Sequence, residues 1–242
     1  MPLELYLDLH SQPCRSVFIF AKKTGIPFDF KFVDLFSGQQ YRDDFGKISV
    51  VRKVPVMRDG DFILTESVAI LQYMAEKFGT LDHWYPADLQ KRARVNEYLS
   101  WQHAAMRAHG SKVFWFRAMV PILSGSEVPK EKMNSAMEDL TLSLKVFHEK
   151  FLEDKPFIIG EKISLADLVA IVEIMQLVGT GLDVFENRPS LSAWRDRVKN
   201  EIGGALFDEA HKAIMHVDSL PQTFEKNGML EFIKPKFLKK FN

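Results

Sequence analysis

The chain opens on a strict two-residue period: Leu3, Leu5, Leu7 and Leu9 alternate with Glu4, Tyr6, Asp8 and His10. That alternation puts the leucines on one buried face and predicts a β-strand. Ser11-Gln12-Pro13 follows, a cap-type hydroxyl with a proline suited to a first helical turn, and no breaker intervenes before Gly25 and Pro27. A helix to about Lys23 is therefore expected. Phe28, Phe30 and Phe32 then alternate with Asp29, Lys31 and Val33, a second strand that closes a βαβ unit with parallel strands and a right-handed crossover.

Residues 34–52 show no clean period and contain Gly38 and Gly46, which predicts a loop with some helical turns, the kind of segment that often carries function. Apolar runs at 54–57 and 62–64 flank Arg58-Asp59-Gly60-Asp61, a hairpin signal. Val68, Leu71, Ala75 and Phe78 recur at helical spacing. The order over 1–79 is thus βαβ, loop, ββα, a four-stranded mixed sheet with helices packed on it.

From about residue 88 strand alternation disappears, and helical segments are separated by Pro121, Pro129, Pro156, Pro189 and Pro221. Residues 79–86, with breakers and aromatic anchors, form a short linker. The expected architecture is α+β with two domains, 1–82 and an all-helical 88–242. Within the second, Ile163 to Leu168 reads as a capping box with a hydrophobic staple: Ser164 caps, Asp167 sits three residues on, and Ile163 can touch Leu168. The apolar run behind it predicts a central buried helix.

Composition narrows the function classes. Of 242 residues, 46% are hydrophobic and 26% charged, and 32 Lys plus Arg balance 32 Asp plus Glu. Globular structure is expected, without the positive field that would hold a nucleic acid. The longest apolar candidate, 165–179, is interrupted by Asp167, Glu173 and Gln176, so no membrane span is expected. The N-terminus lacks a signal-peptide pattern, Pro2 excludes N-myristoylation, and Cys14 is the single cysteine; a cytoplasmic location follows as the expectation. The tail from Lys226 to Asn242 carries five lysines among apolar residues and reads as an amphipathic segment lying on the protein itself in preference to a membrane.

The chain has no Gly-rich phosphate loop, HExxH, CxxC or GxSxG motif, and its seven histidines show no ligand spacing; no metal site is expected. Ser11 stands where the first strand passes into a helix, a position where α/β folds bind ligands and backbone amides favour anions. Its hydroxyl can cap the helix or solvate a thiolate. Cys14, near the same helix end, is a competing nucleophile or a core residue, and strand alternation turns His10 to the face opposite Leu9. Pro55 interrupts a sheet segment and is a candidate cis bond that would leave the Val54 backbone free to pair with an extended peptide. At Glu66-Ser67, where strand passes to helix, Ser67 can cap, Glu66 can receive an ammonium and free amides can bind a carboxylate.

These residues resemble the cytosolic glutathione transferase family, and within it the theta class. The resemblance rests on Leu5-Tyr6-Leu7-Asp8-Leu9, Ser11-Gln12-Pro13-Cys14-Arg15, Ile26-Pro27-Phe28, Lys53-Val54-Pro55, Leu64-Thr65-Glu66-Ser67-Val68-Ala69-Ile70-Leu71, Trp101-Gln102-His103 and Ile163 to Ala170; the delta class shares the serine motif. It implies a thioredoxin-like first domain, glutathione as co-substrate and a homodimer. Ser11 would hydrogen-bond the glutathione sulfur, and the Val54 backbone would pair with the cysteinyl portion. Glu66 and Ser67 would hold the γ-glutamyl end, and Lys53 and Gln40 the glycine carboxylate, Gln40 standing where similar proteins have His. Arg107 and Trp115 would line the electrophile site, and the segment after Leu220 would cover it as a lid. The implied activity is conjugation of the glutathione thiolate to alkyl halides, epoxides and sulfate esters, with glutathione-dependent reduction of hydroperoxides. Two alternatives stay open at this point: a non-catalytic scaffold with the same fold, and a thiol-disulfide oxidoreductase built on Cys14.

Overall fold

A computed structural model describes residues 2–219, with side chains to 215; the amphipathic tail and the lid expected after Leu220 lie outside the described residues. The N-terminal half contains β1 (Leu3–Leu7), α1 (Gln12–Lys23), β2 (Phe28–Phe32), α2 (Asp43–Ile48), β3 (Val56–Asp59), β4 (Phe62–Thr65) and α3 (Ser67–Lys77). The sheet order is β2-β1-β3-β4, with β1 and β2 parallel and the other pairs antiparallel. This is the four-stranded mixed sheet that the element order predicts, and the thioredoxin-like arrangement that the resemblance implies. β1 is central, and its leucines at 3, 5 and 7 are buried. β2 is an edge strand: although its phenylalanines alternate, Phe30 and Phe32 are exposed, and Phe28 and Phe30 instead meet Phe18 edge-to-face. The hairpin turn is Gly60-Asp61, since Asp59 already pairs with Phe62, and Gly60 takes the positive φ of 61° that a two-residue hairpin requires.

The second half is helical: α4 (Leu89–Ala104), α5 (Met106–Phe114), α6 (Val120–Ser124), α7 (Lys130–Val146), α8 (Leu165–Val178), α9 (Pro189–Ile202) and α10 (Gly204–His211). Pro121 does not separate helices, contrary to the sequence reading. It sits in the first turn of α6, and a π-helical turn at Trp115–Met119 joins α5 to α6, so the helical path runs on through the proline. α8 is buried along nearly its whole length. Its start is the predicted capping box, with Asp167 accepting from Ser164 N and Oγ at 3.0 Å each, from Ile158 N at 2.9 Å and from Trp194 Nε1 at 2.9 Å. One buried carboxylate thereby fastens α8 to the preceding loop and to α9.

The two halves share one hydrophobic core, in which α1 packs on α3, α8 and α10. Its most consequential polar member is Arg15 on α1, 0% exposed. Nη1 donates to the carbonyls of Leu9 at 2.8 Å and His10 at 3.2 Å, while Nη2 donates to Val172 O at 3.0 Å and Gln176 Oε1 at 2.6 Å. A single guanidinium therefore spans from the segment after β1 to α8. Burial pulls its pKa down to about 10, so it stays a cation at neutral pH.

Two predictions follow from this packing. Arg15→Met removes the guanidinium from the carbonyls of Leu9, His10 and Val172 and from Gln176, and should lower the unfolding free energy by about 3 kcal/mol or more; urea titration measures this, and a loss well under 1 kcal/mol would show these acceptors satisfied by other means. The second concerns His211 on α10, whose pKa is pulled down to about 3 by burial and then by the Arg15 charge. Between that value and the ordinary histidine range the unfolded chain binds the extra proton, so His211 makes stability fall as pH drops through this window. His211→Phe should flatten the pH dependence of unfolding free energy between pH 4 and 6 by up to about 1.4 kcal/mol per pH unit; parallel slopes for the two proteins would contradict the assignment.

Candidate active site

The segment after β1 and the start of α1 form the floor of a cavity of about 340 Å³, walled by Phe36, Gln40 and Tyr41 from the 34–52 segment and by Arg107, Ser111, Trp115 and Gln176 from the helical half. A second cavity of about 150 Å³ lies beside it, lined by Lys53, Val54, Pro55, Glu66 and Ser67 and closed by Gln102, His103 and Glu173. Arg107 lines both. The eight sequence-derived residues thus divide between two adjoining cavities, with Arg107 common to both. Ser11, Gln40 and Trp115 face the larger, Lys53, Val54, Glu66 and Ser67 the smaller. Lys53 and Gln40, expected at one carboxylate, do not share a cavity.

Ser11 occupies the N-cap position of α1 with extended backbone, φ −87° and ψ 125°, yet its hydroxyl makes no capping bond. Plain capping is therefore not what this side chain does. Its neighbour His10 donates from Nδ1 to Asp8 Oδ1 at 2.8 Å and meets Phe36 edge-to-face at 4.5 Å, contacts that hold the imidazole in the cavity wall. Asp8, only 1% exposed, also accepts from His10 N at 2.9 Å and Leu35 N at 3.1 Å. It ties the strand end to the segment that walls the cavity.

Cys14 is 0% exposed, and burial pushes its thiol pKa up to about 12. A thiol in that state is neither ionised nor reachable at neutral pH, so the oxidoreductase alternative fails on accessibility and protonation together. The sequence argument placed Cys14 near a helix end, but the side chain faces the core.

In the smaller cavity the Val54-Pro55 bond is cis, as expected, and neither the N–H nor the C=O of Val54 has a partner among the described residues. That is the free edge with which an extended peptide can pair. α3 begins at Ser67, so Glu66 and not Ser67 holds the N-cap position, with φ 68° and ψ 111° and no side-chain cap. A non-glycine residue with positive φ is uncommon and marks a constrained site. Here it brings a carboxylate beside the amides of a helix N-terminus, with Lys53 on the same cavity. The arrangement can receive both an ammonium and a carboxylate.

Glu173 is buried and accepts from Arg107 Nη1 at 2.6 Å. Burial raises its pKa, against the pull of Arg107 and Arg15. Arg15, Asp8, Glu173 and Gln176 are the residues that sequence reasoning did not single out for the site. A signal was present in two of them, since Glu173 and Gln176 interrupt the otherwise apolar run at helical spacing. Among the described residues no group of three or more potential metal ligands occurs.

With this geometry the family comparisons agree. Residues 5–81 match the family model for the glutathione S-transferase N-terminal domain and residues 108–201 that for the C-terminal domain. The chain is 48% identical to glutathione S-transferase theta-1 of Gallus gallus, over 99% of both chains. Human glutathione S-transferase T1-1 in its apo form superposes with a TM-score of 0.88 at 47% identity, covering 93% of this chain and 97% of that one. A human theta-class enzyme in complex with the glutathione conjugate of 1-menaphthyl sulfate gives 0.87 at 46% identity, covering 94% and 92%. The chain belongs to the glutathione S-transferase family and, within it, to the theta class.

Proposed function

We propose that this protein conjugates the thiolate of glutathione to small electrophiles, with the peptide in the smaller cavity and the electrophile in the larger. The observation that carries the reading is the Ser11 hydroxyl, which stands at a helix N-cap beside the larger cavity and makes no capping bond to the backbone of that helix. The Val54 peptide group, the α3 N-terminus with Glu66 and Ser67, and Lys53 supply partners for a tripeptide with one ammonium and two carboxylates. Gln40, farther along, supplies an amide in place of a cation. Residues 1–82 serve as the glutathione-binding unit and 88–242 as the electrophile-binding unit.

A free thiol with a pKa of about 8.5 is only a few per cent ionised at neutral pH, and each unit of depression requires about 1.4 kcal/mol of preferential thiolate stabilisation. A charge-assisted hydrogen bond contributes roughly 1.5–3 kcal/mol and a helix N-terminus about 0.3–1 kcal/mol. Ser11 with the α1 N-terminus therefore suffices to lower the bound thiol by one to two units. Serine needs no general base for this, because it only donates its proton in a hydrogen bond to sulfur.

The thiolate then attacks an electrophilic carbon and expels halide, sulfate or an epoxide oxygen, or attacks the O–O bond of an organic hydroperoxide. The relative solved with the conjugate of 1-menaphthyl sulfate supports sulfate esters as substrates. Arg107, common to both cavities, stabilises negative charge on the departing group, and Trp115 supplies apolar wall. A cytoplasmic homodimer completes the reading. Exposed Phe62, Ile63, Phe78, Leu81 and Leu89, at the sheet edge and around the start of the helical half, offer apolar surface for a second subunit.

Ser11→Ala should raise the pKa of bound glutathione by at least about one unit and lower turnover at neutral pH about tenfold or more. Ultraviolet titration of the thiolate in the complex, after calorimetric demonstration of binding, measures it. An unchanged thiol pKa would remove Ser11 from the role, and no binding at millimolar glutathione would replace the transferase reading by that of a non-catalytic module.

A further inference from the structure

We propose that Gln176 is the hydrogen-bond donor that selects electrophiles departing through oxygen. The inference rests on the transferase reading and deepens it. Gln176 lies on α8, one turn beyond Val172 and Glu173, and lines the larger cavity with Ser11, Arg107 and Trp115. Its Oε1 accepts from Arg15 Nη2 at 2.6 Å. A guanidinium has donors only, so the oxygen end of the carboxamide must face Arg15, and the NH₂ end must face away. Nε2 has no hydrogen-bond partner among the described residues, yet it is not among the unpartnered polar atoms sealed from solvent, as Arg15 Nε and Gln40 Oε1 are. Although Gln176 is only 3% exposed, the part that reaches the cavity includes two unspent N–H donors.

Two other donors of this cavity already have roles. Ser11 is assigned to sulfur, and Arg107, whose charge acts on any departing anion alike, is held by Glu173 at 2.6 Å. Arg15 is a full cation that never touches the cavity, but its hydrogen bond polarises the Gln176 carboxamide and strengthens the far N–H as a donor. A buried charge thus acts on the substrate through one amide, with the amide orientation locked before substrate arrives.

For an epoxide, the glutathione sulfur forms a bond to the less hindered ring carbon, the C–O bond breaks, and the electron pair goes to oxygen. The resulting alkoxide accepts from Gln176 Nε2 and takes its proton from water. For an alkyl bromide, the C–Br bond breaks and bromide leaves with the pair. Bromide is large and a weak hydrogen-bond acceptor, so the same amide contributes little. Gln176 therefore sets the preference between the two classes.

The test uses the full chain and a matched pair of electrophiles carrying one aryl group, an aryl glycidyl ether and the corresponding aralkyl bromide. Gln176→Glu keeps an acceptor for Arg15 while removing both donors, and Gln176→Met removes donors without adding charge. Because an added carboxylate also alters the thiolate, the quantity read is the ratio of kcat/KM for epoxide to that for bromide, in which a common thiolate effect cancels. The ratio should fall by about tenfold or more in both variants, with glutathione binding retained in the calorimeter. An unchanged ratio in a variant that binds glutathione would overturn the role of Gln176 and leave the transferase reading intact. Absence of turnover with both electrophiles in the wild type would overturn that reading itself, and the inference with it.

Discussion

The structure depends on one buried cation. Arg15 is fully enclosed, and its two terminal nitrogens hold the Leu9 and His10 carbonyls on one side and the Val172 carbonyl and Gln176 on the other. Burying a guanidinium is costly unless its donors are met, and here four acceptors from two parts of the chain meet the two terminal nitrogens, while Nε has no partner among the described residues. The acceptors are what the site requires to be fixed: the carbonyls immediately before Ser11, and the helix that carries Glu173 and Gln176. Arg15 converts a strand end, normally a place where the backbone is free to wander, into a rigid floor. Asp8 extends the same effect sideways, since its carboxylate holds His10 and the Leu35 amide.

On that floor the two cavities divide the work by polarity. The smaller has Lys53, the Val54 peptide group and the constrained Glu66 at the start of α3, a set suited to a charged peptide. The larger is mostly apolar, with Phe36, Phe114, Trp115 and Met119 among its walls. In the proposed function such a separation would bring a hydrophilic nucleophile and an apolar electrophile together, with Arg107 on both cavities and Ser11 on the larger. Hydrogen bonds acting there operate in reduced dielectric and against little competing water, which raises their effect on developing charge.

Much of this was legible in the residues. The two-residue period of Leu3 to Leu9, the Gly60 turn and the Ser164-Asp167 cap are local signals, and local physics determines strand, hairpin and helix start. The resemblance to glutathione transferases rested on motifs of which Ser11-Gln12-Pro13, Lys53-Val54-Pro55, Glu66-Ser67 and Gln102-His103 line the two cavities. What was less legible depended on long-range contacts. No pattern within residues 10–20 says that Arg15 reaches α8, because its partners are more than 150 positions away. Cys14 beside it read as a possible nucleophile, since proximity to a helix end is visible in sequence and the side-chain direction is not. Glu66 rather than Ser67 at the N-cap, and Pro121 inside a helical turn, are boundary shifts of the same origin. Glu173 and Gln176 were visible only as blemishes in an apolar run; the buried Arg15 and the half-buried Arg107 explain why polar groups stand there.

The most direct test of the account is a crystal structure of this protein with glutathione bound. The account predicts the sulfur within hydrogen-bond distance of Ser11 Oγ, the cysteinyl backbone paired with Val54, the γ-glutamyl end against Glu66 and Ser67, and the Arg15 bonds to Leu9, His10 and Gln176 unchanged. Glutathione seated with its sulfur away from Ser11, or a bound state in which Arg15 has released the strand end, would contradict it.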